Sequence, residues 1–148
     1  MKQTVVYHSA DMDGIFCREI ARKFLPDAEL IGWNFGDKPI DSSLLHSDLL
    51  VILDLPVDEP FGLKFKNGWI CRGAEQIQPI DRWDSTTITW IDHHASSIAS
   101  HPADIPGYRV DGVAACRLAW QWFTRLVSGK IGDAVLPLKQ DYVDRIVI

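Results

Sequence analysis

Residues 49–53 read Leu-Leu-Val-Ile-Leu and run into Asp54, an apolar stretch of strand length with no polar face. A strand that must be covered on both sides belongs inside a sheet, and continuous runs of this kind favour a parallel sheet in a layered α/β domain. The start of the chain agrees. Thr4-Val5-Val6-Tyr7 is a short β-branched and aromatic strand that stops at a His- and Asp-rich loop. From Gly14 the apolar residues Ile15, Phe16, Ile20, Ala21 and Phe24 recur at helical spacing, against Arg18, Glu19, Arg22 and Lys23, until Pro26. Strand, polar loop and helix open a βαβ unit. Residues 28–35 (AELIGWNF) and 86–91 (TTITWI) read as further strands, the second ending at Asp92-His93-His94.

The intervening and later segments complete a mostly parallel sheet covered on both faces, a three-layer Rossmann-like arrangement. Residues 56–84 read as a hairpin excursion, with a turn at Lys66-Asn67-Gly68 and a short strand at Trp69-Ile70-Cys71. A helix is expected from Gly112, with Asp111 as its N-cap, an apolar face of Val113, Cys116, Trp120, Phe123 and Val127, and Gly129 just past its end. A final helix is expected from about Val135-Leu136-Pro137, carrying Tyr142, Val143, Ile146 and Val147. The uncapped apolar ending Ile146-Val147-Ile148 reads as that of a truncated chain.

At 148 residues and 47% apolar content the chain has the length of one domain and enough side-chain volume for a core. Fifteen basic residues against twenty acidic ones, with no basic block, argue against a module that grips long duplexes unaided. No apolar run approaches the roughly 18 residues of a membrane span, and no signal peptide opens the chain, so a soluble, cytoplasmic protein is expected. Cys17, Cys71 and Cys116 form no CxxC pair, and buried free thiols are the plain expectation.

Three expected strands finish in acid or imidazole groups: His8, Asp11 and Asp13 after the first, Asp54 after the third, and Asp92, His93 and His94 after the last. In an open α/β sheet ligands bind outside the carboxyl ends of the strands, so these groups point at one place. So many carboxylates sit together only where cations neutralise them. Carboxylates with imidazoles and no thiolate suit manganese or magnesium better than zinc. Asp11 and Asp13, two apart, can serve neighbouring ions, and Asp54 could bridge both. Such a pair acidifies water and clamps a phosphoryl group, while a second imidazole donates or shuttles a proton. Each element alone has a blander reading: Asp-x-Asp as a helix start, Asp54 as a loop cap, and one of His93 and His94 as a core histidine, since neighbours in an extended chain point oppositely. Their joint occurrence at strand ends is what argues for chemistry.

HSADMDG, VILD and WIDHH, in that order, resemble the first three motifs of the DHH phosphoesterase superfamily, over about residues 4–127. That superfamily includes single-strand exonucleases of recombination, nanoRNases, cyclic-dinucleotide phosphodiesterases and manganese-dependent family II pyrophosphatases. The resemblance implies that His8 and Asp11 hold one manganese and Asp13 and His93 the other, with Asp54 bridging. It places His94 against the substrate phosphate and Asp92 behind it, orienting imidazole, as the catalytic pair. It also implies a fourth motif, for which Asp133, Asp141, Asp144 or a residue beyond Ile148 are the candidates, and a smaller C-terminal domain that residues 1–148 lack.

The expected activity is therefore manganese-dependent hydrolysis, with magnesium as the second choice of ion, of phosphodiester or phosphomonoester bonds in a small nucleotide or short single-stranded oligonucleotide. Two rivals stand beside it: a non-catalytic metal- and nucleotide-binding domain, and an inorganic pyrophosphatase, which would need a cluster of Lys and Arg. No membrane or long duplex is expected as a partner, and a homodimer is left open. Arg109, shortly before Gly112, is a candidate substrate-phosphate ligand, as is Arg117, with a solvated salt bridge as the plainer reading. His46 and His101 read as surface residues, and Trp90, Trp120 and Trp122 as core and neighbouring surface.

Overall fold

The apolar run at residues 49–53 is an interior strand of a four-stranded, all-parallel sheet in the computed structural model, which describes residues 1–85 and 87–127. The strands are β1 (Gln3–His8), β2 (Glu29–Trp33), β3 (Leu49–Leu53) and β7 (Ile88–Ile91), in the order β2-β1-β3-β7. Helix α1 (Met12–Phe24) crosses from β1 to β2 on one side, and the chain then returns to place β3 on the other side of β1. The sheet order reverses between β1 and β3, and at such a switch point a crevice opens at the carboxyl ends of the strands. Register makes this concrete. Tyr7 pairs with Leu53, and Leu53 with Ile91, so the next residues along, His8, Asp54 and Asp92, form one row at the rim.

Alternation along the buried strands splits the core in two. Val5, Val51, Leu53 and Ile91 face helices α1 and α3 (Ala115–Val127), where they meet Cys17, Ala21, Ala115, Leu118, Ala119 and Phe123. Val6, Leu50, Ile52, Ile88 and Trp90 face the other way, onto Phe61, Phe65, Ile70 and Ile105. Phe16, expected on the buried face of α1, is instead 42% exposed, because the contact with the sheet runs through Gly14, Cys17 and Ala21.

The segment expected as a hairpin is a three-stranded antiparallel sheet of β4 (Lys64–Lys66), β5 (Trp69–Arg72) and β6 (Glu75–Pro79). Its first turn has φ of 52° at Asn67 and 82° at Gly68, the left-handed pair that a two-residue hairpin loop requires. The third strand escapes notice in sequence because its residues are mostly exposed and carry no apolar alternation. This small sheet, rather than helices, covers much of the second face. Helix α2 (Ala95–Ser100), rich in Ser and Ala, was likewise not expected. Helix α3 starts after residue 114 and its first amides are capped by Asp13 and not by Asp111. Gly129, the expected final helix, and Asp133, Asp141 and Asp144 lie outside the described residues. Among the described residues no helix is long and apolar enough to cross a membrane.

His46 is exposed, as expected, but His101 is not a surface residue. Its side chain is 7% exposed, packs its ring near Phe65 and Trp90, and brings Nε2 to 2.8 Å from Asp58 Oδ1. Asp58 also accepts the backbone N–H groups of Glu59 and Phe65, tying α2's end to the small sheet. Burial pushes this carboxyl's pKa up, but the His101 contact and the Phe65 N–H outweigh it, and the net direction is down. A depressed folded pKa contributes stability above the ordinary value of 3.8 that is lost as pH falls through the lowered one. Asp58→Ala should therefore cost about 3 kcal/mol in urea unfolding at neutral pH, with the gap to wild type closing in acid. An unfolding midpoint unchanged at neutral pH would reject the role assigned to this pair.

Candidate metal centre

The rim gathers side chains from every parallel strand. His8 ends β1, Asn34 follows β2, Asp54 follows β3, and Asp92, His93 and His94 follow β7. Asp11 and Asp13 enter from the start of α1, where Asp11 is the N-cap and its Oδ1 accepts the Gly14 N–H at 2.8 Å. Asp54 has φ of 61°, a left-handed conformation that Asp and Asn adopt more readily than other non-glycine residues. Its N–H donates to Ile91 O at 2.9 Å, which anchors that turn against β7.

Asp54 is fully buried and its two oxygens face different imidazoles. Oδ2 lies 3.4 Å from His8 Nδ1, which is 3.2 Å from Asp11 Oδ2. Oδ1 lies 2.9 Å from His93 Nε2, which is 3.4 Å from Asp13 Oδ2. Donors about 2.1 Å from a shared octahedral ion stand about 3 Å apart, close to the separation of His8 Nδ1 and of His93 Nε2 from their carboxylate neighbours. Among the described residues His8 Nδ1 and Asp54 Oδ2 are buried without a hydrogen-bond partner, a costly state that a cation between them would relieve. Burial first, then the charges of Asp13 and Asp11, push the Asp54 carboxyl up to about 8. This is the electrostatic cost of collecting carboxylates in one buried place, and added positive charge removes it.

The donor atoms of His8, Asp11 and Asp54 lie within 4.8 Å of one another, as do those of Asp54, Asp92, His93 and His94. Asp13 belongs to neither group, and its carboxylate has a second task. Its Oδ2 and Oδ1 accept the N–H groups of Ala115 at 2.9 Å and Cys116 at 2.8 Å, so it caps α3 while still facing His93. The thiols take no part. Burial, followed by the Asp13 charge, raises Cys17 well above its ordinary range, and burial and Asp13 push Cys116 up to about 12.

His93 and His94 do not diverge as an extended pair would. Asp92 Oδ1 accepts the N–H of His93 at 2.8 Å and of His94 at 3.4 Å, which curls the chain into α2 and leaves the two rings 4.7 Å apart on one side. His94 Nδ1 lies 2.6 Å from the same oxygen, so it donates there, and its Nε2 is uncommitted among the described residues. Asp92 is thus fully buried behind the imidazole, in an orienting position.

Arg109 is placed otherwise than expected. Its guanidinium donates to the carbonyls of Trp90, Ala103 and Ile105 and lies 4.7 Å from the centroid of the Trp90 ring. Its donors hold the loop before α3 to β7 instead of reaching toward a phosphate. Burial lowers its pKa, outweighing the opposing charges of Asp104 and Asp92. Asn34, not singled out in sequence, sits beside His8: its Oδ1 is 3.1 Å from His8 Nε2. The signal available was its place, directly after a strand of the same sheet.

No protein-family model, curated protein or solved structure matches the chain.

Proposed function

We propose that this chain is a DHH-type phosphoesterase domain that takes two divalent cations, manganese before magnesium, and hydrolyses a phosphodiester or phosphomonoester in a small nucleotide or short single-stranded oligonucleotide. The observation that carries the reading is the division of Asp54, with Oδ2 turned to His8, which also meets Asp11, and Oδ1 turned to His93, which also meets Asp13. Two cations, when bound, supply charge for phosphoryl oxygens and make an attacking water more acidic. His8 and Asp11 would hold one, Asp13 and His93 the other, and Asp54 both. Asp92 holds the His94 ring by Nδ1, which leaves Nε2 to hydrogen-bond a phosphoryl oxygen or carry a proton. The net charge of −5 disfavours long polyanions and suits a small substrate that meets local positive charge only at the centre.

The Asp13 cap favours a second reading. A carboxylate oxygen accepts twice, so Oδ2 can serve the Ala115 amide and a cation together. Where the cap prevails, the chain holds one ion and binds nucleotide without turnover. Pyrophosphate hydrolysis is the weaker third reading, since it asks for basic side chains at the phosphates and Arg109 is spent on carbonyls. Manganese titration by calorimetry should give two ions per chain, and a dinucleotide should be cleaved faster than pyrophosphate. One ion and no cleavage of either would favour the binding domain; faster release from pyrophosphate would favour the third reading.

A further inference from the structure

Asn34 has a second hydrogen bond that settles how its amide is turned. The backbone N–H of Phe35 donates to Asn34 Oδ1 at 2.9 Å, so the atom facing His8 Nε2 at 3.1 Å is the oxygen. A carbonyl oxygen only accepts, so Nε2 must carry the proton. In neutral imidazole the other nitrogen then holds the lone pair. That nitrogen, Nδ1, is the buried atom that has no hydrogen-bond partner among the described residues and faces Asp11 and Asp54. We infer that Asn34 is a positioning residue for the centre: its Oδ1 selects the His8 tautomer that offers the Nδ1 lone pair to a divalent cation beside Asp11 and Asp54.

The inference rests on the metal-centre reading for its purpose, but the tautomer can be measured without any metal. Ligating histidines commonly have the remote ring N–H held by a carboxylate or carbonyl, which fixes ring orientation and raises donor strength. Here a side-chain amide from the neighbouring strand would do that work. Register explains how it arrives: His8 pairs with Trp33, so Asn34 is the first residue past the pair. The turn that carries it has two bonds that use only the Asn34 backbone. Asp37 N–H donates to Asn34 O at 2.9 Å, and Asn34 N–H donates to Asp37 Oδ2 at 2.8 Å. Replacement by Ala keeps both of these bonds and removes the oxygen that accepts from His8 Nε2 and from the Phe35 N–H.

The test compares wild type, Asn34→Ala and Asn34→Asp. Nitrogen-15 NMR of the His8 ring in metal-free protein at mildly alkaline pH should show the proton on Nε2 in wild type, and a mixture in Asn34→Ala. Asn34→Asp retains an acceptor and should restore the wild-type pattern. Manganese calorimetry should show affinity at one of two sites falling about 10- to 100-fold in Asn34→Ala, with the other changed little, and recovery in Asn34→Asp. A wild-type ring with a proton on Nδ1, or an Ala variant with wild-type tautomer and affinity, overturns the inference. Wild type that carries the proton on Nε2 yet takes up no manganese removes the metal reading and with it Asn34's proposed purpose, while leaving its control of the tautomer intact.

Discussion

Asp54→Asn is expected to make the metal-free protein more stable and at the same time to abolish uptake of both cations. Asn is the appropriate replacement because it keeps the left-handed backbone at φ 61° and nearly the same volume, so the ionisable group is what is lost. In wild type this fully buried carboxylate lies against His8 and His93 with Asp11 and Asp13 close by, and its ionisation is opposed by burial and by both acids. With its pKa held up to about 8 the folded carboxyl is largely protonated at neutral pH while the unfolded one is ionised, and removing that linkage penalty should gain about 2 kcal/mol in the absence of metal. The gain reverses when manganese is added. Wild type at one hundred times its dissociation constant gains about 2.7 kcal/mol for each ion bound, whereas a variant without the shared carboxylate gains none. Thermal melts with and without manganese should therefore cross: variant above wild type in chelator, below it in saturating metal. Retention of two-ion stoichiometry by the variant would show that Asp54 does not bridge.

The behaviour of this one residue also shows which parts of the molecule could be read from sequence. Asp54 was legible because a fully apolar strand precedes it, and such a strand allows few positions in a sheet. The same logic brought His8, Asp11, Asp13, Asp92, His93 and His94 to one rim. What sequence did not carry was how each group divides its bonds. Asp11 is both helix cap and neighbour of His8, and Asp13 is both cap of α3 and neighbour of His93, so the bland and functional readings hold together. Asn34 was passed over and Arg109 singled out for a related reason. An uncharged amide at a strand end carries no compositional signal, whereas an arginine near a helix start does, yet three carbonyls claim it. The buried His101–Asp58 pair was hidden because its partners are separated in sequence and meet only through the small sheet. Periodicity reports burial of apolar faces; it is silent on polar groups whose partner comes from elsewhere.

Gly14→Ala should be among the most destabilising substitutions in the chain, although glycine supplies no ligand and has no side chain to pack. A Cβ there would stand 1.8 Å from the carbonyl oxygen of His8 and 2.7 Å from its carbon. Both atoms belong to the backbone of β1, an interior strand bonded on each side to β2 and β3, so they cannot yield as a side chain would. Helix α1 would have to lift from the end of the strand. With it would go the Asp11 cap at its start, the Asp13 carboxylate that holds the first amides of α3, and the packing of Phe24 against Phe123 and Trp120. A cost above about 3 kcal/mol is expected in denaturant unfolding, at the upper end of single-residue effects. Gly68→Ala is the matched control, since a Cβ there meets nothing within 4 Å and the only penalty is its φ of 82°. Left-handed strain alone should cost about 1 kcal/mol. A difference of at least 2 kcal/mol between the two variants would separate collision from strain. Any folded Gly14→Ala protein should also bind manganese more weakly with every ligand residue still present, because the helix that delivers Asp11 and Asp13 has moved. Equal losses in the two variants would mean that α1 does not approach β1 so closely, and the placement of both aspartates would fall with it.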